Sequence, residues 1–267
     1  MVFRAGAWTD NFAQMGHGGL AARTYGTAGN EQGLSGAISV NALGDITFVG
    51  GTGSYFNSDE DARLFAMLGH GGYDVDVAQD GSHVTGNGIG HSGAISVIST
   101  GGRIFFGAGD ATRADQASVG LGEGRFHFAH LGHGGYESRG DHSGNITVNA
   151  ATDIVFLGGV SEDNDGDRVN SAQLGHGGRT GVGNQGRSGE TISVTAGRDI
   201  LFRGGNSQDS PVQLGNGGRE ARGDHSGSIE VRAGRHIEFA GAQGRLLITD
   251  EEKNFDLTRA TEFGTQT

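Results

Sequence analysis

The chain contains no cysteine and one proline in 267 residues. Without cysteine there is no disulfide framework. Lysine occurs once, at Lys253, and the 31 acidic residues against 19 basic ones leave a formal net charge of −12. That balance argues against nucleic acid as a partner, because phosphate binding needs a basic stripe. No stretch approaches the ~18 apolar residues of a membrane span. The first ten residues carry Arg4 but no apolar segment, so no signal peptide is read there. Glycine, at 54 residues, is present at roughly three times ordinary usage. Neither collagen nor a disordered tail accounts for it. There is no three-residue period, and regular apolar triplets interrupt the glycines. A chain with many tight corners remains.

The glycines are ordered by a repeat. Leu174-Gly175-His176-Gly177-Gly178 recurs at 68–72 and 131–135, at 15–19 with Met15 in place of leucine, and at 214–218 with asparagine in place of histidine. After each copy comes a block that opens on Ser-Gly and closes on glycine: 35–51, 92–109, 143–159, 188–205 and 226–241. Apolar residues alternate inside it, as in Ile146-x-Val148-x-Ala150 followed by Ile154-x-Phe156. Alternation over four or five residues between Gly, Asp and Asn is a strand signal, and no helical period competes with it. The unit is about 40 residues, and the extra length of the longer copies falls at two fixed points. Insertions at fixed points of a repeat map to loops on fixed edges of a solenoid.

Three short strands per unit predict one turn of a parallel β-helix, with turns stacked at roughly 4.8 Å. A β-prism and two smaller turns per repeat are the alternatives. The expected organisation is a lead-in or cap over 1–10, a five-repeat solenoid over 11–241, and a cap or docking tail over 242–267.

The pattern Ser-Gly-x-Ile-x-Val-x-Ala-Gly-x-Asp-Ile-x-Phe-x-Gly-Gly, with Glu190-Thr191 in place of the first single residue at 188–205, resembles the glycine-rich repeats of filamentous-haemagglutinin-like and autotransporter-type bacterial adhesins. Ala172–Gly178 is similar to an element of the same large surface proteins. The resemblance implies a right-handed parallel β-helix, an extracellular or cell-surface location, and an adhesive or stalk-like role.

Candidate site residues follow from the stacking. One histidine per turn would place His17, His70, His133, His176 and Asn216 in a single column, where imidazole and amide both accept and donate hydrogen bonds. This is read as a structural ladder, since no cysteine or carboxylate stands at ligand spacing. A second set, His91, His142 and His225, with Leu34 and Arg187 in the other copies, reads as a semi-exposed corner. Asp163, Asp165 and Asp167 surround Gly166 and resemble an oxygen-rich Ca2+ turn, although the closing glutamate is absent. Ca2+ is the sole candidate cofactor, and a solvated loop is the simpler reading. Tyr25, Tyr55, Tyr73 and Tyr136 are candidates for stacking on sugars. No catalytic constellation is found, and a polysaccharide-acting enzyme is the least favoured reading. The expected function is a fibre-forming subunit that associates end to end. The alternative is a glycan- or surface-binding fragment of a large adhesin.

Overall fold

The computed structural model describes residues 1–6, 10–22, 33–51, 63–75, 89–108, 128–159, 171–205 and 211–241. These residues form a parallel β-solenoid in which each sequence repeat makes one turn. Each turn passes through four sheets in a fixed order. Sheet 1 contains β2 (Ala13–Met15), β6 (Ala66–Leu68), β10 (Ala129–Leu131), β14 (Ala172–Leu174) and β17 (Val212–Leu214). Sheet 2 contains β3 (Gly18–Leu20), β7 (Gly71–Tyr73) and β11 (Gly134–Tyr136), and isolated bridges through Gly177 and Gly217 continue its line. Sheet 3 contains β4 (Ile38–Ala42), β8 (Ile95–Ser99), β12 (Ile146–Ala150), β15 (Thr191–Ala196) and β18 (Ser228–Ala233). Sheet 4 contains β1 (Val2–Arg4), β5 (Ile46–Val49), β9 (Ile104–Gly107), β13 (Ile154–Leu157), β16 (Ile200–Arg203) and β19 (Ile237–Ala240). The pentapeptide therefore carries two paired segments, not one, with a corner at its histidine. Strand β1 lies beside β5, so residues 2–4 add a sixth strand to sheet 4 ahead of the first complete turn. Among the described residues no helix is long and apolar enough to cross a membrane.

Register follows the repeat residue for residue: Ile38, Ile95, Ile146, Ile192 and Ile229 are partners in turn along sheet 3. The alternating apolar residues point inward and form one continuous core. Its axis is a phenylalanine stack, Phe3–Phe48–Phe106–Phe156–Phe202–Phe239, with ring centroids 4.4, 4.5, 4.8, 4.8 and 4.9 Å apart. The parallel ladder imposes the ring spacing, and each buried ring contributes about 1.5–3 kcal/mol by burial. The outward side of sheet 4 is buried as well, through Val49, Phe105, Val155, Leu157 and Leu201. Continuous apolar runs such as Ile154–Leu157 carry the signal for burial on both faces.

Glycine holds the pentapeptide corner for a steric reason. Gly71 has φ +117°, and a Cβ on it would lie 2.0 Å from the carbonyl oxygen of Gly134 in the next turn. The aspartate that precedes the sheet 4 strand closes another corner. The Oδ1 atoms of Asp45, Asp153 and Asp199 accept from the backbone N–H of Arg103, Asp199 and His236, one turn on, at 2.9, 3.3 and 3.1 Å. Asp153 and Asp199 are buried, and Arg198 and Arg235 pair with them. Without those guanidinium partners, two buried carboxylates would be costly.

Candidate functional site

The structure brings His17, His70, His133, His176 and Asn216 into one column. Adjacent imidazole rings stack at 4.8, 4.9 and 5.0 Å. The backbone N–H of each histidine donates to the side chain of the next turn: His17 to His70 Nδ1 at 3.0 Å, His70 to His133 Nδ1 at 3.1 Å, and His133 to His176 Nδ1 at 3.1 Å. His176 N–H donates to Asn216 Oδ1 at 2.8 Å, so the amide carries the ladder on. Because Nδ1 accepts, the ring proton is assigned to Nε2. That nitrogen donates back to the Ser-Gly corner of the preceding turn, from His70 to Gly36 O, His133 to Gly93 O and His176 to Gly144 O, at 2.9, 2.9 and 2.8 Å. Asn216 Nδ2 donates to Ser226 O at 2.7 Å.

Burial is the first cause that lowers the inner histidines His70, His133 and His176 from their ordinary value. His70 and His176 are both lowered, and His133 is pushed down to about 2. A proton on Nδ1 would face a backbone N–H instead of receiving its bond. Both ring nitrogens of the inner histidines are committed to backbone, which leaves neither a metal lone pair nor a free general base.

The second histidine column differs from its sequence reading. His91 and His142 are wholly buried, not semi-exposed. Leu34 N–H donates to His91 Nδ1 at 3.2 Å, and His91 N–H donates to His142 Nδ1 at 2.9 Å. His142 Nε2 donates to Ser138 Oγ at 2.7 Å, and burial drives this ring well below its ordinary value. The residue that continues the column is Gln185, bridged to His142 and then to His225. Arg187 stands outside it, exposed on a turn where its N–H donates to Glu190 at 2.9 Å. Three extra residues between Gln185 and Ile192 displaced the apparent match. Tolerance of Leu34 and Arg187 therefore did not mean exposure. One of them stands outside the column, and the other closes its first-turn end.

On the outer surface, sheets 1 and 2 meet in a re-entrant corner that runs along the solenoid. In the first three turns aromatic rings fill it. Phe12, Phe65 and Phe128 stack at 4.8 and 4.7 Å, and Tyr73 stacks on Tyr136 at 4.7 Å. Met67 packs between these rows. His130 also lies in this corner and is lowered to about 3, first by burial and then by the nearby His176. Tyr73 is 7% exposed and its ring is engaged by Tyr136 and Arg63, so it is closed to a sugar; Tyr136 is half-buried at the end of the aromatic row. Tyr25, Tyr55, Asp163, Asp165 and Asp167 lie outside the described residues.

The aromatic filling stops after the third turn. Bridges through Gly134, Gly177 and Gly217 place Arg179 and Arg219 in the line of Tyr136, and Ser171 and Pro211 follow Phe128. A shallow cleft opens there, lined by Gln173, Arg179, Pro211, Gln213 and Arg219 among others. Sequence reasoning missed it. The signal was available in the change from Phe and Tyr to Ser, Pro and Arg at matched repeat positions. Among the described residues, no group of three or more His, Asp or Glu is arranged to hold a metal ion.

Neither a family model, nor a curated protein, nor a solved structure matches this chain. The resemblance to adhesin repeats therefore rests on the motifs alone.

Proposed function

We propose that this chain is a structural solenoid unit of an extracellular or cell-surface filament, extended end to end by copies of itself. The observation that carries this reading is the state of the two ends. In the last turn Ile229, Ile237 and Phe239 are 48, 48 and 53% exposed, although their partners Ile192, Ile200 and Phe202 are buried. Among the described residues no strand pairs beyond β18 and β19, so they present an apolar core and an unpaired hydrogen-bonding edge together, the combination that invites another strand. At the other end β1 stands one rung ahead of the first complete turn, on sheet 4 alone, with Val2 68% exposed.

Strand β1 of a second copy fits β19 in the register that sheet 4 already uses. Phe3 continues the phenylalanine column beyond Phe239. Arg4 falls in the line of Arg203, one rung beyond Ala240, and within diagonal reach of Glu238. Arg203 already reaches Glu238 from the opposite side at 3.5 Å. The other faces of the shared rung need more chain. Residues 242–267, expected from the sequence to be a cap or docking tail, lie outside the described residues.

Electron microscopy of the purified protein over a concentration series tests the assembly. Filaments with an axial repeat of six rungs, about 29 Å, support the joint through β1. Uniform short particles at every concentration refute it.

The second reading, a surface-binding fragment of a larger haemagglutinin-like adhesin, is favoured by the outer cleft of the fourth and fifth turns.

A further inference from the structure

We propose that this cleft binds a carboxylated sugar, with Arg179 and Arg219 holding the carboxylate. The inference deepens the adhesin reading and is independent of filament assembly.

The argument starts from Arg179. Its Nε and Nη1 are buried and have no hydrogen-bond partner among the described residues. Its guanidinium carbon lies 5.9 Å from the centre of the Tyr136 ring. A cation held partly out of water against an aromatic ring needs a counter-charge, and a guanidinium with two uncommitted donors suits a planar carboxylate. Arg219 stands one rung away, roughly 4.8 Å along the solenoid. It brings a second cation to the lining of the same cleft. Arg219 also meets Glu220 at 3.4 Å, but that carboxylate is exposed and can exchange. In a chain of net charge −12, this paired cation is a local exception.

The floor of the cleft points to a sugar more than to an acidic peptide. Gln173 Nε2 donates to Gly217 O at 2.9 Å, and Gln213 Nε2 donates to Asn216 O at 3.2 Å. Both amides spend their donors on the backbone and keep their oxygens as acceptors. A ligand for this site must therefore bring hydroxyl donors as well as a carboxylate. The ring of Pro211 in its lining offers apolar contact to the C–H face of a pyranose. A uronic acid unit has all three features, whereas an aspartate or glutamate side chain has only the carboxylate.

Calorimetric titration with trigalacturonate tests the site, with its methyl ester as the uncharged counterpart and hexaglutamate as the peptide control. Trigalacturonate should bind at least about tenfold more tightly than the ester, a difference expected of charge-assisted hydrogen bonds. Arg179→Gln and Arg219→Gln should each weaken it about tenfold or more. Arg232→Gln, at an exposed position on sheet 3, should leave it unchanged. A thermal melt without ligand checks the fold: Arg179→Gln should melt no lower than the parent chain, because the buried donors it removes are unpaired. Trigalacturonate should raise the melting temperature of the parent and not of Arg179→Gln. Equal binding by parent and Arg179→Gln overturns the cleft but leaves a binding role elsewhere on the surface. Hexaglutamate binding as tightly as trigalacturonate overturns the sugar assignment. No binding by any of the three probes overturns the site altogether.

Discussion

Lowering the pH from 7.5 to 5.0 should cost this fold about 4 kcal/mol through two histidines alone. The unfolded chain takes up a proton near pH ~6.5. The folded rings of His130 and His133 take it up only near about 3 and about 2. Above pH ~6.5 both states hold neutral rings and stability is at its full value. As the pH falls below ~6.5 the unfolded state gains protons that the folded state refuses, and stability is lost progressively toward pH ~3. At pH 5.0 each ring loses about 2 kcal/mol, from 1.36 kcal/mol per pH unit over ~1.5 units. His142, also well below its ordinary value, adds to the same side. Urea unfolding at the two pH values, at constant ionic strength, measures the effect. Ordinary carboxylates titrate mainly below this range. The double variant His130→Gln, His133→Asn copies residues that other turns use at the same positions, Gln173 and Asn216. It should remove about 4 kcal/mol of the pH dependence, whatever it costs at neutral pH. A parent chain that loses under about 1 kcal/mol, or a double variant with an unchanged pH slope, would refute the buried neutral column.

Two further contrasts test the packing. Gly71→Ala should destabilise by several kcal/mol in a denaturant titration, because its Cβ meets the Gly134 oxygen at 2.0 Å and its φ of +117° disfavours a side chain; Gly44→Ala, with nothing within 4 Å, should stay within about 0.5 kcal/mol. Phe156→Ala, in the middle of the ring stack, should cost about 3–5 kcal/mol, whereas Phe239→Ala at the open end should cost less than about 1 kcal/mol in the monomer. The same Phe239→Ala change should abolish the filaments proposed above, as seen by light scattering.

Much of this architecture was legible because a solenoid writes each contact several times. Equivalent residues in successive turns are neighbours, so matching Ile146 to Ile192 in sequence already names a cross-strand pair. The same logic gave the main histidine column, including its ending in Asn216. It failed where one copy carries extra residues: aligning on Ser188-Gly189 put Arg187 in the column that Gln185 occupies. Alternation within sheet 4 was read from Ile154 and Phe156. The intervening Val155 and Leu157 are apolar too, and that marked an outer face that is also buried. The cleft escaped because it lies where the repeat changes, and repeat reasoning looks for what stays the same.

The ladder bonds have a direction. Every histidine after the first reaches back to the turn before it twice, accepting a backbone N–H through Nδ1 and donating to a corner carbonyl through Nε2. A turn is thus fastened by its successor in the sequence. As the chain leaves the ribosome amino end first, each turn stays unlatched until the next pentapeptide emerges, and the order of synthesis becomes the order of closure. Loss of the final turn would unlatch the one before it, whereas loss of the first would leave every remaining latch in place.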